Sequence, residues 1–291
     1  MNPNPAYSSW IAEWSEWARR GRALPLGGFA PPPRARPAAD APVALLLSPH
    51  PDDECITGAW PLRLGRAGWR VINVAVTQGS RKDRQAGRLE ELRRACAYLG
   101  WEVVATAPGG LEKINLKGRA DDAENWASAA RVIGRIILET GPAAIFAPHA
   151  ADWNGTHIGV HHLLMEALRD PACGWRGRVV ETEFWGAHPA PNLMVQSAAA
   201  DVAELVAALS FHVEEVRRNP YHLTLPAWMM DNVRRGGELV GGQGGAAPDY
   251  DFATLYRVNI WDGAQRTAPW SGGRALPADA DPAAPLGAEK N

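Results

Sequence analysis

Five aliphatic residues in a row, Val43-Ala44-Leu45-Leu46-Leu47, stop at Ser-Pro-His-Pro-Asp-Asp-Glu over 48–54, and this junction constrains the fold more than any other stretch. An unbroken apolar run of that length suits a strand buried on both faces, and such strands belong to parallel sheets covered by helices. The pattern then repeats. A helix from Asp53 to Gly65 precedes a strand from Arg70 to Val76, and a helix from Arg84 to Leu99, closed by Gly100, precedes a strand from Glu102 to Ala105. A helix from Ala123 to Thr140, closed by Gly141, leads to a strand from Ala143 to Ala147. The helix His157–Arg169, a strand near Val179–Phe184 and a helix Val202–Arg217 extend the series. Strands alternating with helices predict a Rossmann-like, doubly wound, mostly parallel α/β sheet with helices on both faces, in a single domain.

The flanks read differently. Trp10, Ile11, Trp14, Trp17 and Ala18 recur at spacings of three and four, which places one apolar stripe on a helix expected to cover its own domain. Residues 25–42 are rich in Pro, Ala and Arg and read as an extended linker. The predicted division is therefore 1–42 as helix and linker, 43–265 as the catalytic body and 266–291 as a flexible C-terminal tail. Within the body, Glu238–Gly245 is a glycine-rich loop and Phe252–Ile260 is expected as an edge strand.

Thirty basic against 32 acidic side chains give a net charge of -2, so bulk electrostatics draw the chain neither to nucleic acid nor to an anionic membrane. The scarcity of lysine among the basic residues is read as a matter of base composition. Cys55, Cys96 and Cys173 are widely spaced with no CxxC pair, which predicts neither a disulfide framework nor a zinc knuckle. There is no run of 18 apolar residues and the N-terminus lacks the pattern of a secretory signal. A cytoplasmic location is expected, with homo-oligomer formation left open.

In open α/β sheets ligands gather at the carboxyl ends of the strands, and two chemical clusters fall there. One is His50-Pro51-Asp52-Asp53-Glu54 after the first strand; the other is His149 to His157 after the strand Ala143–Ala147. Zinc takes imidazole nitrogen and carboxylate oxygen, and catalytic sites keep three protein ligands with one open position. His50, Asp53 and His157 supply that set, and Asp52 is left free to take a proton from water. The competing explanation is structural, since acidic residues also suit the first turn of a helix.

The segment His50–Glu54 after a hydrophobic strand, with Arg88, Glu91 and Leu99-Gly100 on the following helix and a later histidine, resembles the PIG-L/LmbE family, from about Val43 to Phe184. The resemblance implies a zinc-dependent deacetylase of N-acetylglucosamine conjugates or a related amidase. It implies His50, Asp53 and His157 as metal ligands, for zinc or another divalent cation, Asp52 as general base, and Arg88 as a contact to the substrate's sugar or phosphate region. The family's second motif commonly reads His-Pro-Asp-His; here it is Asn154-Gly155-Thr156-His157. The ligand position is kept, while the first histidine, an oxyanion or leaving-group partner, is replaced by Asn154, which can still donate a hydrogen bond.

Several histidines compete for that vacant role: His149, His161, His162, His188 and His212. His188 is chosen as the substrate-facing candidate, because it follows a predicted strand and a residue just past a strand end can face the cleft. The sequence also leaves open a non-catalytic sugar-conjugate binder, an amidase for another small amide, and a magnesium-dependent nucleotide enzyme, the last without a glycine-rich phosphate fingerprint. The expected partner is a small amino-sugar conjugate.

Overall fold

In the computed structural model, which describes residues 4–287, the chain folds around one sheet of nine strands. After α1 (Pro5–Gly21) come β1 (Val43–Ser48), α2 (Ala59–Arg66), β2 (Arg70–Ala75), α3 (Gln85–Leu99) and β3 (Glu102–Ala105). Then follow α4 (Leu116–Asp121), α5 (Ala123–Thr140), β4 (Ala144–Pro148), α6 (Gly155–Arg169) and β5 (Gly177–Thr182). The last third holds β6 (Leu193–Ser197), α7 (Ala199–Leu209), α8 (Val213–Arg218), α9 (Leu225–Leu239), β7 (Phe252–Trp261), β8 (Arg266–Thr267) and β9 (Arg274–Leu276).

The strand order is β3-β2-β1-β4-β5-β7-β6-β9, with β8 paired to β7. From β3 to β5 every pairing is parallel, whereas β7 runs antiparallel to both β5 and β6. Alternation along β1 divides the core. Ala44 and Leu46 pack with α2, α3 and α7 on one face, while Val43, Leu45 and Leu47 pack with α5 and α6 on the other. This is the expected doubly wound arrangement, and its strand order reverses between β1 and β4.

Four expectations are corrected. The helix from Asp53 to Gly65 is a single 3-10 turn, Asp53–Ile56, followed by α2. The break falls at Gly58, whose φ of 85° excludes a helical continuation. Similarly, Val202–Arg217 is two helices, α7 and α8, parted at Ser210–His212. Phe252–Ile260 is no edge: β7 lies inside the sheet, and its residues from Ala253 to Val258, Arg257 apart, are buried. The predicted flexible tail is ordered through residue 287. It adds β9 to β6, and its carbonyls accept from α2: Trp60 Nε1 donates to Pro282 O at 2.7 Å, and Arg63 donates to Pro277 O and Ala280 O at 2.8 Å. A Pro/Ala/Gly composition is also what a segment needs to lie flat across a helix, so composition alone misread it. Residues 288–291 lie outside the described residues.

The N-terminal stripe does not bury itself. α1 has no buried residue, and its Trp10, Trp14 and Trp17 face Pro226, Ala227 and Met230 of α9 across an open apolar groove. No helix among the described residues is long and apolar enough to cross a membrane.

Candidate active site

The carboxyl ends of β1 and β4 lie side by side where the strand order reverses, which brings together two clusters a hundred residues apart in sequence. His50 and Asp53 come from the loop leaving β1, and His157 from the first turn of α6. His50 Nδ1 and His157 Nε2 are 3.2 Å apart, and they lie 3.4 and 3.2 Å from Asp53 Oδ2. His157 and Asp53 are fully enclosed; His50 opens to the cleft.

These three spacings fit a cation. Ligand atoms at about 2.0–2.1 Å from a tetrahedral zinc are separated by about 3.3 Å along each edge. Two imidazole nitrogens and a carboxylate oxygen are also the donor set such an ion prefers, and the other oxygen, Asp53 Oδ1, is buried without a hydrogen-bond partner. Burial opposes charge on both groups of the inner pair. Even so, His157 and His50 hold the Asp53 carboxyl far below the usual carboxylate range, and Asp53 with Asp152 pushes His157 up to about 10.

The sequence reading gave Asp152 no role, yet its carboxylate lies behind the His157 ring. His157 Nδ1 faces Asp152 Oδ2 at 3.5 Å, a long contact, on the side of the ring away from Asp53. Asp152 is itself fixed by three backbone donors, the N–H of Asn154 at 2.8 Å and those of Trp185 and Gly186 at 3.3 Å. A side chain at Gly186 would place its Cβ 2.8 Å from Asp152 Cα, so this approach of two loops needs glycine. A carboxylate behind a ligating histidine fixes its tautomer and raises its basicity. Asp152→Asn should therefore weaken metal affinity about 10–100-fold with the fold intact. Titration against a competing chelator, with circular dichroism as control, checks this.

Asp52, next to the triad, occupies strained backbone with φ 117°. Three groups hold it there. Tyr221 Oη donates to Asp52 Oδ2 at 2.6 Å; Arg88 Nη2 donates to Pro51 O at 2.8 Å and lies 3.7 Å from the same Oδ2; and the Asp52 N–H donates to Glu54 Oε2 at 2.9 Å. Glu54 Oε1 in turn pairs with His212 Nε2 at 2.6 Å, both side chains being buried. Burial first, then repulsion from Asp53, raises the Asp52 pKa to about 7, against the pull of His212, Arg88 and Tyr221. Tyr221 and Glu54 went unrecognised in the sequence, since nothing local marks a tyrosine 169 residues away as a partner.

The remaining candidates divide. Arg88 lines the cleft; it lies so close to Gly79 that a Cβ there would come within 2.5 Å of its guanidinium. Asn154 is the N-cap of α6, its Oδ1 accepting from Thr156 N–H at 2.9 Å, so only its amide N–H₂ remains for a ligand. His188 is not brought to the triad. It is buried, its Nε2 is 3.5 Å from Glu181 Oε2, its Nδ1 accepts from Ala190 N–H, and its ring lies against His149. The chain turns inward after β5, and Glu181 captures the imidazole. His161 belongs to the same cluster through Glu181 and Pro148 O, and burial pulls its pKa down to about 4. His212 serves Glu54, and His162 packs on His161.

A family model described as PIG-L, GlcNAc-PI de-N-acetylase, matches residues 45–168, the stretch holding the triad, Asp52, Arg88 and Asn154. No curated protein sequence matches the chain. Among solved structures, the conserved protein TT1542 from Thermus thermophilus superposes with a TM-score of 0.52 at 20% identity, over 78% of this chain and 98% of that one. N,N'-diacetylchitobiose deacetylase from Pyrococcus horikoshii gives 0.54 at 16% identity, over 87% and 93%. GalB, the 4-carboxy-2-hydroxymuconate hydratase from Pseudomonas putida, gives 0.56 at 16% identity, over 75% and 95%. At these identities the likeness is one of fold, and that fold serves both a deacetylase and a hydratase. The match covers the segment that carries the His50–Glu54 motif and the triad it builds, so that residues 45–168 are similar to the PIG-L family.

Proposed function

We propose that the protein is a divalent-metal hydrolase, with zinc as its ion, that removes an acyl group, in the first place acetyl, from an N-acyl amino-sugar conjugate. The observation that carries this reading is the triad, with spacings that suit a tetrahedral ion, beside a carboxylate, Asp52, that lies outside it. The family match and the deacetylase among the structural relatives support the amide substrate. A dication held by His50, Asp53 and His157 supplies Lewis-acid chemistry, making water acidic near neutral pH and polarising an acyl oxygen.

The chain's own residues do the rest. Tyr221 occupies Asp52 Oδ2 and so presents Oδ1 to the attacking water. A carboxylate desolvated to a pKa of about 7 in the metal-free protein accepts a proton readily at neutral pH. Asn154, its oxygen spent on the helix cap, has an N–H₂ to donate toward the developing oxyanion but no proton to give up. With His188, His161 and His212 all held elsewhere, Asp52 serves in turn as base and as acid, returning the proton to the departing nitrogen. Arg88 steadies the Asp52 loop and presents its guanidinium to the sugar side of the cleft.

The zinc-loaded protein is expected to release acetate from an N-acetylated amino sugar, to lose that activity on chelation and to regain it with added zinc. Sugar binding by the loaded protein without acetate release would instead establish the binding-protein alternative.

A further inference from the structure

The apolar stripe of α1 faces α9 across a gap of two chambers, of about 420 and 410 Å³, each within the range of about 300–1,000 Å³ usual for small-ligand sites. Trp17, Arg20 and Pro226 line both chambers, which therefore form one trough. The helix is tied to the body at its C-terminal end. A Cβ on Gly21 would come within 2.9 Å of Leu223, and just beyond the helix Gly27 N–H donates to Ser210 Oγ at 3.1 Å. Toward the other end the stripe stands off the body, with Trp10 55% exposed. Trp10, Trp14 and Trp17 meet edge to face with ring centroids 6.1 and 5.8 Å apart, so each ring steadies the next and the wall is already formed. An aromatic wall left open against an apolar floor marks a place where something binds.

The shape selects a slender occupant. A helix with its side chains is about 10–12 Å across, so either chamber would take only about one turn of it, too little for a helix from a partner or a second copy. A flat lipid surface does not meet rings that face α9. A single hydrocarbon chain fits. Charge then selects its head. Arg20 makes no ion pair among the described residues, whereas its neighbour Arg19 pairs with Glu16. Glu13, the carboxylate of the lining, stands about 10 Å further along the helix. On the floor of the second chamber His222 is buried, and its Nδ1 has no hydrogen-bond partner. A buried nitrogen without a partner is costly, and an anionic oxygen can accept from it as well as from the Arg20 guanidinium.

We propose that the trough between α1 and α9 binds a long-chain carboxylate, a fatty acid, with its tail along Trp10, Trp14 and Trp17 and its head at Arg20. Both helices lie outside the segment 45–168, and the site is independent of the hydrolase reading.

Calorimetry on the full-length protein tests this with octanoate, decanoate and dodecanoate, all below their micelle concentrations, and with dodecyltrimethylammonium as the cationic counterpart. One dodecanoate per chain is expected. Its affinity should rise about fourfold per added CH₂ and exceed that of the cation at least about tenfold. Arg20→Gln should erase the preference for the anion. Trp14→Ala, on a helix with no buried residue, should weaken dodecanoate about tenfold. Met230→Glu, at a position 41% exposed, should abolish its binding while circular dichroism stays unchanged. No saturable binding, or an affinity indifferent to chain length, overturns the proposal. So does binding that survives Met230→Glu, which would place the carboxylate elsewhere, as at the metal triad. Sedimentation of the free protein as a dimer that Met230→Glu dissociates overturns it too, since a second copy then covers the trough.

Discussion

Asp52→Asn is expected to lower turnover of an N-acetyl sugar by about 10²–10⁴-fold while leaving metal binding by the triad intact. The amide keeps the shape of the carboxylate and can still accept from Tyr221, whose hydroxyl lies 2.6 Å from Oδ2, so the strained loop has no reason to relax. What it loses is the ability to take a proton from water. His188, His161 and His212 do not stand ready to substitute, since each has a ring nitrogen against a glutamate. Single-turnover acetate release alongside elemental analysis measures both halves of the expectation. Turnover at the parent rate would reduce Asp52 to a structural residue at the head of the 3-10 turn.

The parallel half of the sheet and the two clusters that meet in the triad were legible in the sequence because each follows a local pattern, an apolar strand with chemistry at its carboxyl end. Val43–Leu47 is buried on both faces and says so in five consecutive letters, and a ligand at the end of such a strand needs only the strand to be found. Asp152 could have been found by the same logic, since it stands in the loop after β4, five residues before His157. Tyr221 could not, and His212 was named without its partner: they reach Asp52 and Glu54 across 169 and 158 residues, a distance over which no local pattern marks a pairing. The antiparallel half was misread for a related reason. Whether Phe252–Trp261 is an edge or an interior strand depends on which strands come to lie beside it, and its own composition suits either position. His188 shows the limit of placing residues by strand ends: Phe184, Trp185 and Gly186 beyond β5 pack against His157 and Asp152, whereas His188 turns back onto Glu181.

Replacing His157 is expected to have the second large effect. His157→Ala should abolish metal binding at the triad, and it leaves Asp53 and Asp152 as buried carboxylates without the imidazole between them. Losing one partner of a buried charge pair costs about 3–5 kcal/mol. Denaturant unfolding of the metal-free proteins should show that loss even where no metal is present to be lost. The parent protein carries the corresponding pH signature. In its metal-free form His157 keeps its proton up to about pH 10, and Asp53 is already ionised across the neutral range. A metal ion must therefore expel about one proton, and its affinity rises about tenfold per pH unit below that pKa. Calorimetry in two buffers of different ionisation heat reads the released proton directly. Binding with no proton exchanged at pH 7–8 would contradict the pairing of His157 with its two carboxylates.

The interior position of β7 bears on how the chain is made. As synthesis proceeds from the N-terminus, β1 to β5 can assemble as soon as they emerge, but β5 keeps one side open until Phe252–Trp261 arrives. Residue 181 on β5 waits for residue 257 on its neighbour, with β6 and three helices formed in between and no antiparallel partner for β6 either. An unpaired strand carrying Val179 and Val180 is an adhesive surface for other nascent chains. A ribosome that stalls within the glycine-rich stretch before β7 would hold His50, Asp53 and His157 already together on a sheet still open at one side. The vulnerable interval in the life of this molecule thus falls late in translation, after that cluster has met and before the architecture is closed.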